Sequence, residues 1–277
     1  HHLLRLVLLS PSHTLSLSSV SLFHWYKSSR ALHIKDSYDR KARLYPALLV
    51  VLPLALTIGA AASLKLPAIE SAGAALASCG GAFLLTQLAR DAGKRKEDGL
   101  FKQWGGMPSV AILRHRDQRL DTITKGRYHK KLSTLVKGTK VPSATDEQHA
   151  PELIDSTYSA WCAYLRAHTR DTKKHALLFQ ENVNYGYRRN VLGLRRVGLV
   201  TSALSLSVSS GLGYVAYRFE GQLKAEFVAA GIVALLLLLF WSFIVSPLWV
   251  RTAADAYAER LIETIEHLGL RDVKPSE

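Results

Sequence analysis

The chain has 277 residues and a formal net charge of +14, and its mean hydropathy is near zero. The charge indicates an anionic partner, either a phosphate-rich ligand or a lipid surface, although basic cytoplasmic loops would also account for part of it. Two cysteines, Cys79 and Cys162, form no CxxC and no metal-binding spacing. The composition therefore argues against a disulfide framework and a metal centre.

Four uncharged apolar runs predict an all-α polytopic membrane protein. Each run approaches or exceeds the roughly 20 residues that an α-helix needs to cross a bilayer. The runs cover residues 44–64, 71–89, 197–217 and 227–250. We expect two transmembrane hairpins, residues 44–89 and 197–250, on either side of a basic helical domain, residues 90–196.

The segment before the first span divides in two. Residues 1–26 are apolar and serine-rich, contain no acidic residue and match a signal peptide only loosely, so they stay unassigned. Residues 27–43 are rich in lysine and arginine. Because Asp39 and Arg43 have the i,i+4 spacing of a helical ion pair, this part predicts a basic juxtamembrane helix.

The first hairpin has two sequence features of membrane helices. Pro53 falls near the middle of the first span, where membrane helices tolerate proline. Gly73, Ala77 and Gly81 recur every four residues in the second span, a pattern that lets helices approach closely. The connection, residues 65–70, is so short that the two spans are expected to be antiparallel.

Residues 110–136 predict a helix with one apolar stripe and an opposite basic face. That face is either solvated surface or an anion-binding stripe. Its candidate ligand-binding residues are Arg114, Arg116, Lys125, Arg127, Lys130 and Lys131.

The rest of the central domain predicts two further helical segments. Residues 151–173 form the first, which Ser143 or Thr145 can cap and whose apolar face is expected to be core. Residues 175–196 combine amides, aromatic rings and arginines, which are used in phosphate and base recognition and also at membrane interfaces. Arg188 and Arg189 complete the candidate ligand-binding residues.

The second hairpin contains the candidate pore. Ser202, Ser205 and Ser209 share one helical face of the third span, so they are candidate pore-lining residues, with hydrogen-bonded helix packing as the alternative. The last run has no polar face in residues 235–240, which predicts contact with lipid. Residues 251–277 predict an amphipathic helix and a tail, which can pack on the central domain or on a neighbouring subunit.

Lysine and arginine are concentrated before the first span, between the second and third spans and after the fourth. This distribution predicts that both termini and the central domain lie on the cytoplasmic side of a bacterial inner membrane. No HExxH, GxSxG, Walker A or dinucleotide-binding glycine pattern occurs. The sequence therefore predicts no catalytic residue, no metal and no cofactor, and it favours a ligand-controlled membrane effector over an enzyme.

Three stretches resemble a known family: YDRKARLYPALLVVLPL, GKRKEDGLFKQWGG and LLFQENVNYGYRRNVLGL. Together they are similar to the membrane effectors of Hailong anti-phage defence systems, which are encoded beside nucleotidyltransferases, over residues 35–270. The resemblance implies an oligomeric ion channel that is held closed by a single-stranded DNA product of the partner enzyme and that depolarises the host membrane.

Two alternatives to this function stay open. Four-span effectors of cyclic-oligonucleotide defence systems have a similar layout, so the ligand could instead be an activating cyclic oligonucleotide. A membrane-anchored nucleic-acid-binding protein without channel activity is the second alternative. We expect a homo-oligomer for the channel, because the single serine face of one chain is too small to enclose water.

Overall fold

A computed structural model describes residues 37–62 and 81–268, and within these ranges the regular structure is helical. The helices are α1 (Asp39–Ala62), α2 (Gly81–Gln103), α3 (Pro108–Ala111), α4 (Thr122–Leu135), α5 (Ala144–His149), α6 (Pro151–His168), α7 (Ala176–Glu220), α8 (Ala225–Ile244) and α9 (Pro247–Glu263). The prediction of an all-α fold is confirmed for this part of the chain.

Three described helices, α1, α7 and α8, are long and apolar enough to cross a membrane. They pack against one another and leave large apolar side chains exposed, among them Leu52, Val200 and Leu236. Exposed apolar side chains around a helix bundle are expected where lipid replaces water as the solvent.

The predicted second span lies partly outside the described residues, and its last part, residues 81–89, forms the start of α2. The four-span layout therefore stays a prediction. Residues 1–36 and 269–277, which include the unassigned segment and the tail, also lie outside the described part of the chain.

Helix α7 is one unbroken helix of 45 residues, about 68 Å long. The sequence predicts a domain boundary at residue 196, where the composition changes from basic to apolar, but the backbone continues through it. The helix ends at Gly221, which has a φ of 70° and whose N–H donates to the carbonyl of Tyr217 at 2.9 Å. Glycine adopts this left-handed conformation without steric cost, so it stops the helix and begins the turn to α8.

The fourth predicted span ends earlier than expected, at Ile244. Ser246 caps α9 by accepting from the N–H of Trp249, and Pro247 takes the first helical position, where no N–H is needed. Arg195 of α7 donates to the carbonyls of Trp241 and Ser242, both at 2.9 Å, at the end of α8. The predicted amphipathic helix therefore begins at residue 247 and not at 251.

Small side chains hold the membrane helices close together. The face of α7 that is buried against α1 and α8 consists of Gly198, Ser202, Ser205, Ser209, Gly213 and Ala216. At Gly198 an added methyl would lie 2.2 Å from the indole ring of Trp241. Only a residue without a side chain fits there, as in other closely packed membrane helices.

A separate core lies in the α3–α6 domain, which we define as residues 108–168. Residues 110–136, expected to be one helix, instead form α3, a loop and α4, because Asp121 caps a new helix by accepting from the N–H of Thr124 at 2.8 Å. The α6 prediction is confirmed in its buried face, which consists of Ile154, Tyr158, Trp161, Cys162 and Leu165. Ser143 was expected to cap the helix of residues 151–173, but it instead forms a capping box with Asp146 at the start of the short helix α5, and no side chain caps α6.

Helix α9 joins the two cores. Ala254 packs with the helices near the membrane, whereas Leu261 and Ile262 pack in the core of the α3–α6 domain. Of the two positions that the sequence allows for this amphipathic helix, the structure has the one on the central domain.

Candidate functional site

A cavity of about 400 Å³ lies where the membrane helices meet the α3–α6 domain. We call it the junction cavity. Its charged lining contains five cations and one carboxylate: Arg43, Arg90, Lys94, Arg166, Arg189 and Glu97. Four aromatic rings, Tyr38, Phe101, Tyr185 and Tyr257, complete most of the wall. The excess of positive charge makes this cavity a candidate site for an anion.

Glu97 is held by three donors. Its carboxylate accepts from Arg189 Nη1 at 2.8 Å, from the Tyr185 hydroxyl at 2.9 Å and from Lys94 Nζ at 2.6 Å. Burial by itself raises the pKa of Glu97, but Lys94, Arg189 and Tyr185 together outweigh it, so the net shift is downward. The ionised carboxylate thus connects α2 with α7.

The other cations of the cavity are less well paired. Arg43 forms an ion pair with Asp39 at 2.5 Å. Arg166 has the thioether sulfur of Met107 at 3.8 Å, a weak acceptor. Arg90 is exposed and has no acidic partner within 4.0 Å among the described residues. At least two guanidinium groups can therefore bind an anion without first breaking an ion pair.

The walls of the cavity are set by a close crossing of α2 and α7. A methyl on Gly193 would lie 2.4 Å from the carbonyl carbon of Ala92, and one on Gly93 would lie 2.0 Å from Oδ1 of Asn190. Asn190 also donates to the carbonyl of Ala42 in α1 at 2.7 Å. Three helices are thus fixed together beside Glu97.

Four of the predicted ligand-binding residues have partners inside the protein. Arg114 is buried and binds both carboxylate oxygens of Asp155, at 2.9 and 2.6 Å. Lys125 is buried and donates to the carbonyls of Arg114 and Asp117. Arg189 is held by Glu97. Arg188 donates to the carbonyl of Trp249 at 2.9 Å, with its guanidinium over the indole ring.

The other four are more exposed. The Arg116 side chain is 65% exposed, and its Nε lies 3.9 Å from Glu147. Arg127 is paired with Glu266, Lys131 is half-buried with its ammonium near the carbonyl of Glu266, and Lys130 is exposed. The expectation of one continuous basic face is wrong, because residues 110–136 are not one helix and two of their cations are buried. Anion binding by Arg116, Arg127 and Lys130 stays a prediction.

The predicted pore-lining serines face the inside of the protomer. Ser202, Ser205 and Ser209 are all buried. The Ser209 hydroxyl donates to the carbonyl of Ser205 at 2.7 Å and lies against Gly231 of α8. Their burial in the single protomer favours helix packing, the alternative interpretation of this face, and the pore-lining role of these serines stays a prediction. Ser207 and Ser210, on the same helix, are exposed.

A buried imidazole marks the polar centre of the α3–α6 domain. His129 is fully buried between His115, Tyr158 and Trp161, and its Nε2 lies 2.8 Å from the carbonyl of Leu113. Burial lowers the pKa of His129 to about 4. The imidazole is therefore neutral at physiological pH and contributes to the core, away from the junction cavity.

The side chains that line the junction cavity are suited to binding an anion. Guanidinium and ammonium groups beside aromatic rings recognise phosphate and other anions. No protein-family model, curated protein or solved structure matches the chain. In the described residues no group of three or more His, Cys, Asp or Glu side chains could hold a metal ion.

Sequence reasoning identified Arg189 but missed Glu97, Arg90 and Arg166. These residues come from α2 and α6, far from Arg189 in the sequence, so no local spacing relates them. One signal did point to the site, since Glu97 and Arg189 lie in two of the stretches that carry the family resemblance.

Proposed function

We propose that this protein is a ligand-controlled membrane effector that conducts ions as a homo-oligomer. One observation carries the proposal: α7 lines the junction cavity with Asn182, Tyr185 and Arg189 and continues without a break into the centre of the membrane bundle. A ligand that shifts this part of α7 would move the span as well, because an intact helix transmits displacement along its axis.

The ligand and the setting follow the family resemblance. We propose that a nucleotidyltransferase encoded nearby supplies a single-stranded DNA product that keeps the channel closed, and that loss of this product depolarises the host membrane during infection. The exposed cations Arg116, Arg127 and Lys130 support a nucleic-acid surface on the α3–α6 domain. The basic residues around the junction cavity support a cytoplasmic position of this domain at a bacterial inner membrane.

A pore in such an oligomer needs polar groups that face away from the protomer core. On α7 these are Ser207 and Ser210, both exposed within a largely apolar surface. One protomer cannot surround water with two hydroxyl groups, whereas copies arranged around an axis could.

The test is the membrane potential of bacteria that express the full chain, reported by a voltage-sensitive dye. We expect depolarisation without the nucleotidyltransferase and protection when it is co-expressed. Ser207→Leu should restore the potential at unchanged abundance, because an apolar constriction blocks conduction by dewetting. Ile232→Leu, a change at an exposed apolar position of α8, should still depolarise and serves as the control.

Other outcomes assign other functions. Depolarisation only when the nucleotidyltransferase is present would favour activation by a cyclic oligonucleotide. A normal potential at confirmed abundance in the membrane, together with binding of a labelled oligonucleotide, would leave a membrane-anchored nucleic-acid-binding protein and overturn the channel.

A further inference from the structure

Glu97 occupies its cavity as an anionic ligand would. We propose that the junction cavity binds a phosphate group, which competes with the Glu97 carboxylate for Arg189 and Lys94. The regulatory meaning of this site rests on the proposed function, but the binding itself can be measured without it.

The charges favour such an exchange. The five cations of the cavity face a single carboxylate from the lining, and Asp39 neutralises only Arg43. A phosphate monoester carries about −1.5 to −2 charges and three acceptor oxygens, compared with one charge and two oxygens for a carboxylate. It could accept from Arg189 and Lys94 in place of Glu97, and it would also reach Arg90 and Arg166, which lack acidic partners among the described residues.

The size of the cavity favours a compact ligand, and its excess of positive charge favours a phosphate monoester. Arg43 lies in the first turns of α1 and Arg90 directly follows the apolar part of α2, so in a protein inserted through these apolar segments the cavity would lie near the lipid headgroups. A volume of about 400 Å³ accommodates a small molecule and excludes a folded nucleic acid. The phosphate could belong to an acidic lipid headgroup or to a free phosphomonoester.

The exchange would change how α2 and α7 are connected. In the structure Glu97 of α2 holds Arg189 of α7 directly, with an oxygen–nitrogen distance of 2.8 Å. A bound phosphate would release this direct contact and bridge the two helices itself. The occupied and empty cavities would therefore set α7, and with it the span, in different positions relative to α2.

The experiment measures binding to the full chain in phosphatidylcholine nanodiscs by isothermal titration calorimetry. Glycerol 3-phosphate is the soluble probe, because it carries the phosphate monoester of phosphatidic acid without the acyl chains. Glu97→Gln should tighten binding about tenfold, since it removes the internal competitor from a partly buried site. Arg90→Gln and Lys94→Gln should each weaken binding several-fold. Arg95→Gln is the matched control, because Arg95 is exposed on the same helix and does not line the cavity.

A second arm separates the two sources of phosphate. Protein from vesicles of phosphatidylcholine and phosphatidic acid is analysed by native mass spectrometry for retained phosphatidic acid. Glycerol 3-phosphate binding that depends on Glu97 and Arg90, without retention of phosphatidic acid, assigns a free phosphomonoester, whereas retention of phosphatidic acid with the same dependence assigns the headgroup. Both outcomes support a phosphate site.

The proposal is overturned if neither probe binds, or if Glu97→Gln and Arg95→Gln bind equally well. Loss of the Glu97 carboxylate leaves Arg189 buried without its partner, so the folded state of that variant is checked by thermal unfolding. If the variant is unstable, glycerol 3-phosphate should raise its unfolding midpoint more than that of the wild type, because a ligand stabilises the state that it binds. If only the channel proposal fails, phosphate binding to the protein remains, and bacteria that express the protein keep a normal membrane potential.

Discussion

The crossing of α2 and α7 can be tested with a single methyl group. Replacing Gly193 with alanine would put a Cβ 2.4 Å from the carbonyl carbon of Ala92, 2.5 Å from the nitrogen of Gly93 and 2.6 Å from the oxygen of Ala92. All three are backbone atoms, so no change of rotamer relieves the clash. Because non-bonded carbon atoms pack at about 3.5–4.0 Å, the helices would have to separate by roughly 1 Å.

Alanine is expected to change the free energy of unfolding in opposite directions at Gly193 and Gly211 of α7. Overpacking of this kind costs about 1–3 kcal/mol, and the clash with rigid backbone favours the upper part of that range. Gly211→Ala is the matched control, because nothing lies within 4 Å of its added methyl. There the higher helix propensity of alanine should stabilise the protein by up to about 1 kcal/mol.

Thermal unfolding of both variants in the same detergent checks this reasoning. The midpoint should fall for Gly193→Ala and rise slightly for Gly211→Ala, by roughly 2–4 °C for each kcal/mol. Equal stabilisation by both substitutions would refute the close crossing beside Glu97. A lower midpoint for Gly211→Ala alone would show that the exposed and packed faces of α7 were assigned the wrong way round.

Two further predictions concern buried polar groups. Ser205→Leu should lower the abundance of folded protein, because the larger side chain does not fit between α7 and α8. Ser207→Leu, at an exposed position, should leave the abundance unchanged. Immunoblotting of membrane fractions compares the two variants, and equal abundance would contradict the packing of this face. Since the pKa of His129 is lowered to about 4, the unfolded state binds a proton below pH 6.5 that the folded state does not. Protonation in the unfolded state should therefore lower the free energy of unfolding by about 3 kcal/mol between pH 6.5 and pH 4, and denaturant titrations should show a loss that is smaller by about this amount in His129→Gln than in the wild type.

Local periodicity predicted much of the fold. The face of α6 that contains Tyr158 and Trp161 repeats at helical spacing, so its burial follows from the sequence. The apolar runs of α1, α7 and α8 are equally local signals, because the bilayer sets the length of an apolar helix.

The errors arose where charge was treated as a guide to exposure or to helix ends. Lys125 was expected on an open basic face, but it is buried, and its ammonium group donates hydrogen bonds to carbonyls of the preceding loop. Helix α7 was divided at residue 196, although hydrogen bonds of the backbone do not depend on whether side chains are basic or apolar. The junction cavity could not be predicted, since its wall combines four or more helices whose packing no local pattern records.

Because α7 is long and unbroken, a small tilt of one end displaces the other end. About 21 of its residues, or roughly 32 Å, precede the apolar segment that would lie in the bilayer. A change of about 5° in the tilt of that segment would move the far end of the helix by roughly 3 Å, about the length of a hydrogen bond. Tilt responds to bilayer thickness, and coupling between two events is reciprocal. An effector whose ligand site and membrane span share α7 would therefore respond to the thickness and tension of its membrane as well as to its ligand.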